Sequence, residues 1–149
     1  MYLTNKFMLP LFIPHIQQHL GSQNIAHQHA GLIALALLIE ECHESFKGEL
    51  QNILGLIMPL LQTNNSRIVH DILITLGYMS EEFSPEIQKN HGEIILKFII
   101  HSLQYPCIKV QFKAVQSLIN FEKGLNEHRD IKVIDQFLPT IMQEIYRIF

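Results

Sequence analysis

Nine histidines among 149 residues are the first side chains to weigh for chemistry. His15 and His19 stand four apart, so on a helix their rings share a face, and His27 and His29 follow soon after. Two imidazoles at that spacing suit zinc, but a closed site takes four ligands and a catalytic one three plus a water. No HExxH run or nearby cysteine pair completes such a set, so no metal is expected. Cys42 and His43 have the residue types of a thiolate–imidazole pair. Successive side chains on a helix point about 100° apart, however, which leaves Cys42 as a structural thiol. Glu40/Glu41 and Glu81/Glu82 are adjacent carboxylates at the same place in two similar segments. Recurrence suits a repeated surface feature better than one acid–base dyad. Glycine-rich phosphate loops and nucleophile elbows are absent from the sequence, so neither an enzyme nor a cofactor is expected.

The elements that carry these residues follow from composition and periodicity. Hydrophobic residues make up 48% of the chain and charged ones 17%, which excludes general disorder. Leu and Ile dominate while Gly and Pro are sparse, favouring helices. A net charge of -3 supplies no basic stripe for nucleic acid. The longest apolar run, Ala30 to Ile39, is half of what a bilayer core demands, so membrane insertion is not expected. Pro10 and Pro14 break the apolar start and no cleavage site follows, which argues against a signal peptide. Cys42 and Cys107 lack any CxxC partner and suit the reducing cytosol or nucleus.

The chain repeats itself. "ALALLIEEC", "TLGYMSEEF" and "SLINFEKGL" superpose, with Leu35, Leu76 and Leu118 standing 41 and 42 residues apart. Leu61 and Leu103 give a second landmark at 42. Each unit reads as two helices. Leu50, Ile53, Leu54, Ile57 and Leu61 share one face of a helix over Leu50–Gln62, and Ile68, Ile72, Leu76, Met79 and Phe83 share one face of the next, with Ser66 as its N-cap. The remaining helices are expected at Pro10–Leu20, Ile25–Cys42, Gly92–Leu103, Val110–Lys123 and Ile131–Phe149. Two helices every 40–47 residues is the HEAT or armadillo signature. The expected fold is therefore all-α: an α-α superhelix of about three and a half HEAT repeats and seven main helices. It forms a single solenoid over 1–149, with units near 1–43, 44–84, 85–125 and 126–149. The second (B) helix of each pair is covered by its partner and both neighbours, so it can be apolar nearly all round. That is the reading of Ala30–Ile39.

Several residues carry a family resemblance. "HAGLIALALLIEECHESFKGELQNIL", "SEEFSPEIQKNHGEII" and "AVQSLINFEKG" resemble, in order and at family spacing, segments of karyopherin-beta (importin-beta) nuclear transport receptors of the importin beta-3 type. The Asp/Arg ladder of HEAT turns does not match: Gln28, Val69 and Gln111 stand at the Arg positions and Thr63 at an Asp position. The resemblance implies a receptor segment that binds protein cargo with basic localisation segments through the concave face lined by B helices. On those helices the outward stripes are His29, Ile33, Leu37 and Glu40; His70, Ile74, Tyr78 and Glu81, with Asp71 beside them; and Phe112, Gln116, Asn120 and Lys123. The expected cargo residues are His29, Glu40, Glu41, His70, Asp71, Tyr78, Glu81, Gln116 and Asn120. Carboxylates there would meet Lys or Arg, and Tyr78 would pack the aliphatic stem.

The resemblance also implies Ran GTPase binding by the full-length parent, nucleoporins as further partners, and residence in cytoplasm and nucleus. No acidic run here assigns Ran to this segment. A HEAT scaffold for multiprotein assembly, such as a phosphatase scaffold subunit, is the alternative function. Apolar residues at both ends (Phe7, Leu9, Leu11, Phe12 and Ile16; Phe137, Leu138, Ile141, Ile145, Ile148 and Phe149) lead to an expectation of end-to-end self-association.

Overall fold

The structure is a computed structural model that describes residues 2–46, 48–125 and 132–149, with side chains from Leu9 onward. Its elements are α1 (Tyr2–Leu20), α2 (Ile25–Cys42), α3 (Leu50–Ile57), α4 (Ser66–Glu82), α5 (Glu86–Leu103), α6 (Ile108–Lys123) and α7 (Leu138–Ile148). Short 3-10 helices cover His43–Phe46 and Met58–Gln62, and no strand occurs among the described residues. α2, α4 and α6 form the B layer, each packed on the next. α1 packs on α2, α5 on α6, and α7 on α5.

Packing on two sides explains the apolar run. α2 buries Gly31, Leu32, Leu35, Ala36 and Ile39 against α1 and α4. A Cβ at Gly31 would stand 3.0 Å from His19 Cβ and 3.0 Å from Leu20 Cδ2, so glycine sets how closely α1 approaches. In α4, Ile68, Ile72, Leu73 and Met79 are wholly buried, each removal from water contributing roughly 1.5–3 kcal/mol. No described helix is long and apolar enough to cross a membrane.

Several boundaries differ from the sequence expectation. α1 starts at Tyr2 and runs through Pro10 and Pro14, which are exposed and line the open cleft between α1 and α3. α3 stops at Ile57, and the chain tightens into the 3-10 helix Met58–Gln62 because Pro59 has no N–H to return to the preceding turn. α5 begins six residues early, at Glu86, and α6 two early, at Ile108. α7 begins at Leu138, with Pro139 in its first turn. The expected start of that helix, Ile131, lies outside the described residues. α4 is capped by Asn65 rather than Ser66: the Asn65 side chain accepts from Arg67 N at 3.1 Å and Ile68 N at 3.3 Å. Asn24, one period earlier, caps α2 through Ala26 N at 2.8 Å.

The last helix also turns differently. Ile141 is buried, and Phe137, Ile145 and Ile148 pack on the core, because α5 covers that face. The exposed stripe is Leu138, Met142, Tyr146 and Phe149. At the other end Leu9 and Ile16 are buried while Leu11 and Phe12 are exposed. Of the apolar residues expected at the ends, Leu11, Phe12, Leu138 and Phe149 are exposed, Met142 and Tyr146 join them, and Leu9, Ile16 and Ile141 are buried.

The period reappears as hydrogen bonds. Thr75 Oγ1 donates to Leu32 O at 3.4 Å, Ser117 Oγ to Leu73 O at 2.6 Å, and Ser84 Oγ to Gly124 O at 2.7 Å. Gln104 Nε2 donates to Glu144 Oε1 at 2.8 Å, and Tyr105 Oη donates to Asn64 O. Each bond joins residues 40 to 44 apart, one repeat to the next. At two Arg-ladder positions the side chains do other work: Gln28 Nε2 donates to Ser22 O at 2.8 Å, and Val69 is buried in the core.

The cap assignment is testable. Asn65→Ala should cost about 1 kcal/mol of stability in urea unfolding followed by circular dichroism. Ser66→Ala should stay within about 0.5 kcal/mol. Equal losses, or a larger loss at Ser66, would move the cap back to Ser66.

Candidate functional site

The outward side of the B layer brings most of the sequence-predicted residues together, and it is built around Tyr78. Tyr78 lies half-buried on α4. Burial chiefly, then the charge of Glu40 on α2 and a hydrogen bond to it, then the charge of Glu81, all raise its phenol above the ordinary 10.0. The hydroxyl therefore keeps its proton at neutral pH and faces Glu40 across the α2–α4 contact. Glu81 is exposed beside it, one turn on, and Glu41 is exposed on α2. Two carboxylates flank one aromatic ring.

On its other side Tyr78 lines a cleft of ≈ 80 Å³ between α4 and α6, shared with Ile74, Lys113, Gln116 and Asn120. Lys113 Nζ donates to Gln116 Oε1 at 2.6 Å. The two amides, Gln116 and Asn120, sit where they were expected. Lys113 was missed by sequence reasoning, although it stands 42 residues after Asp71 and so occupies the same place in its repeat.

Asp71 is the correction. It is only 2% exposed and lies inside the α2–α4 contact rather than beside the outward stripe. His29 Nδ1 stands 2.6 Å from its Oδ2, and His70 Nδ1 3.6 Å from its Oδ1. A carboxylate can only accept, so His29 Nδ1 carries the proton of the short bond. Asp71 and His29 thus form a strut between repeats, and His70 flanks it. Buried between the helices and paired with His29, the Asp71 carboxylate is not open to a long cationic side chain in the way Glu81 is.

Three further histidines, His19, His27 and His43, have polar or ring neighbours close by. His43 Nδ1 stands 2.9 Å from Glu82 Oε2, so His43 faces the next repeat and not Cys42. His19 and His27 meet edge-on at 5.2 Å, and Ser22 Oγ lies 3.2 Å from His27 Nδ1. Among the described residues no three His, Cys, Asp or Glu side chains gather as a metal ion would require.

No family model matches the chain. Individual proteins do. Over 137 residues the chain is 28% identical to importin subunit beta-3 of Saccharomyces cerevisiae, covering 91% of this chain and 12% of that protein. Over 125 residues it is 26% identical to a probable importin subunit beta-4 of Schizosaccharomyces pombe, covering 83% of this chain and 11% of that one. Among solved structures, Kap121p bound to RanGTP matches with a TM-score of 0.80 at 28% identity, over 92% of this chain and 13% of that one. The karyopherin Kap121p bound to the extreme C-terminus of the protein phosphatase Cdc14p matches at 0.81 and 27%, over 93% and 13%. The chain therefore spans about an eighth of the length of the relatives it matches.

The His29–Asp71 strut should show strong coupling. His29→Ala leaves a buried carboxylate with only His70 nearby, whereas the same change in an Asp71→Asn background strands no charge. A double-mutant cycle in urea should give a coupling on the order of 0.5–3 kcal/mol. Additive losses would mean the pair does not hold the helices together.

Proposed function

Given that the chain belongs to the karyopherin-beta family of nuclear transport receptors, we propose that it is a receptor segment whose concave B-helix face holds an extended, basic segment of protein cargo. The observation that carries this reading is the Glu40–Tyr78–Glu81 arrangement. Its two carboxylates lie on neighbouring helices at equivalent repeat positions, and between them stands a phenol that keeps its proton. A Lys ammonium or Arg guanidinium between Glu40 and Glu81 gains charge-assisted hydrogen bonds, and its aliphatic stem lies along the Tyr78 ring. Glu41 adds negative potential at the edge. Gln116 and Asn120 offer both donors and acceptors to the main chain of the cargo. Asp71 and His29 contribute indirectly, by fixing the spacing of α2 and α4, and His70 borders that strut.

On this reading the parent receptor works in both cytoplasm and nucleus, with Ran GTPase a partner of the full-length protein. RanGTP and a protein C-terminus are bound by related receptors of known structure. For this segment the proposal concerns cargo.

The direct test is fluorescence anisotropy of a labelled Lys-rich peptide with the 149-residue chain. Reversing Glu40 and Glu81 to Lys should weaken binding about tenfold or more, since two surface attractions of up to about 1 kcal/mol each become repulsions. Affinity should also fall with added salt, as the screening length shortens from roughly 30 Å at 0.01 M to 10 Å at 0.1 M. Undiminished binding by the double variant, with helicity intact, would rule out this face.

A further inference from the structure

The stripe that carries the proposed contact changes sign along the stack. Equivalent positions 40, 81 and 123 hold Glu, Glu and Lys. On α6, Lys109, Lys113, Gln116, Asn120 and Lys123 follow one another at intervals of four, three, four and three, so they share one side of the helix. Three of them, Lys113, Gln116 and Asn120, line the cleft against Tyr78 and Ile74, which fixes that side as the one continuous with Glu40 and Glu81. The remaining acid of α6, Glu122, lies about 100° around the helix from Lys123. Arg67, exposed at the start of α4, is the counterpart of Lys109, so the reversal is confined to the other end of the B helices, where positions 40, 81 and 123 run Glu, Glu, Lys.

We propose that this face selects a segment whose own charge reverses: cationic opposite α2 and α4, anionic opposite α6. The inference rests on the B-helix face being the docking surface, as argued above, and adds what kind of segment fits it. Packed helices stand about 8–10 Å apart, and a segment in the polyproline II conformation advances about 3.1 Å per residue with three residues per turn, so every third side chain shares one side. One helix step therefore matches roughly three residues of such a segment. Lys or Arg at two positions three apart meet Glu40 and Glu81, and Asp or Glu three further on meets Lys123. A uniformly basic segment meets like charge at α6 and loses there part of what it gains on α4. Gln116 and Asn120, being amides, serve a main chain running either way, so the charge order and not the amide contacts sets the register.

Three peptides of equal length test this with the 149-residue chain at low salt. One carries Lys, Lys and Glu at three-residue intervals, the second the same residues in reverse order, and the third Lys at all three. One of the two mixed peptides should bind about fivefold tighter than the all-Lys peptide. Lys113→Glu with Lys123→Glu should reverse that ranking, and Lys123→Glu alone, at an exposed position, should at least abolish the preference. If the all-Lys peptide binds as tightly as either mixed one, or the variants leave the ranking unchanged, the charge reversal plays no part and docking of basic segments stands without it. If none of the three binds, the docking surface itself falls and the inference with it.

Discussion

How closely one B helix lies against the next governs everything else in this molecule. α2, α4 and α6 meet through small residues and short hydroxyl side chains: Ala36 and Gly77 are buried in the layer, and Thr75 and Ser117 stand at equivalent positions in successive helices. A hydroxyl there serves two ends. It is small enough to keep the helices close, and it reaches a carbonyl of the preceding B helix in a place water does not reach: Ser117 Oγ donates to Leu73 O at 2.6 Å, and Thr75 Oγ1, whose nearer acceptor is Asp71 O of its own helix at 2.9 Å, stands 3.4 Å from Leu32 O. Leaving such a donor unpaired would cost about 1–3 kcal/mol. The contact is therefore both close and specific in register. A slip of one turn would part Ser117 from Leu73 O and strand Asp71, whose carboxylate has His29 at 2.6 Å only in this register. The polar ladder expected of HEAT turns is absent from its usual positions, and its work is done inside the helix layer instead.

The same constraint explains what could be read from the residues and what could not. Helical spacing of apolar residues and a 41/42-residue period are local facts, and they led to the helix pairs and to the stacking order. Which side of a helix its neighbour covers is not local. Asp71 and His70 are adjacent on the chain, and only the position of α2 decides that Asp71 turns inward while His70 stays half exposed. One signal was present: His29 precedes Asp71 by 42 residues, the offset at which this chain makes its contacts between repeats. Ile141, Ile145 and Ile148 were misplaced for the same reason, since the face that α5 covers had been taken as the open one. Asn65 and Ser66 differ for a subtler reason: both are good caps, and backbone geometry alone decides which residue is the last outside the helix.

At the outward surface the reading from residues fared better, because a solenoid presents equivalent positions at equivalent heights. Glu40, Tyr78, Glu81, Gln116 and Asn120 all lie where helical spacing puts them, and Tyr78 joins three helices by touching Glu40 on one side and lining the α4–α6 cleft on the other. The charge of the site is held by rigid helices rather than loops. Its carboxylates are consequently spaced by the packing distance of helices and not by the reach of flexible side chains.

That division lets the repeats diverge without cost to the fold. Positions 35, 76 and 118 hold Leu in all three units and are buried, so changing them would open a cavity worth about 2–5 kcal/mol. Positions 40, 81 and 123 lie on the outward side and run Glu, Glu, Lys, a change that touches no core contact. Surface substitutions of that kind usually shift stability by no more than about 0.5 kcal/mol, yet each alters what can lie against its helix. A stack assembled from near-identical inner faces can therefore carry a different outward residue at every step. On the proposed reading, a segment lying across several steps is recognised by the order of those residues and not by any single helix.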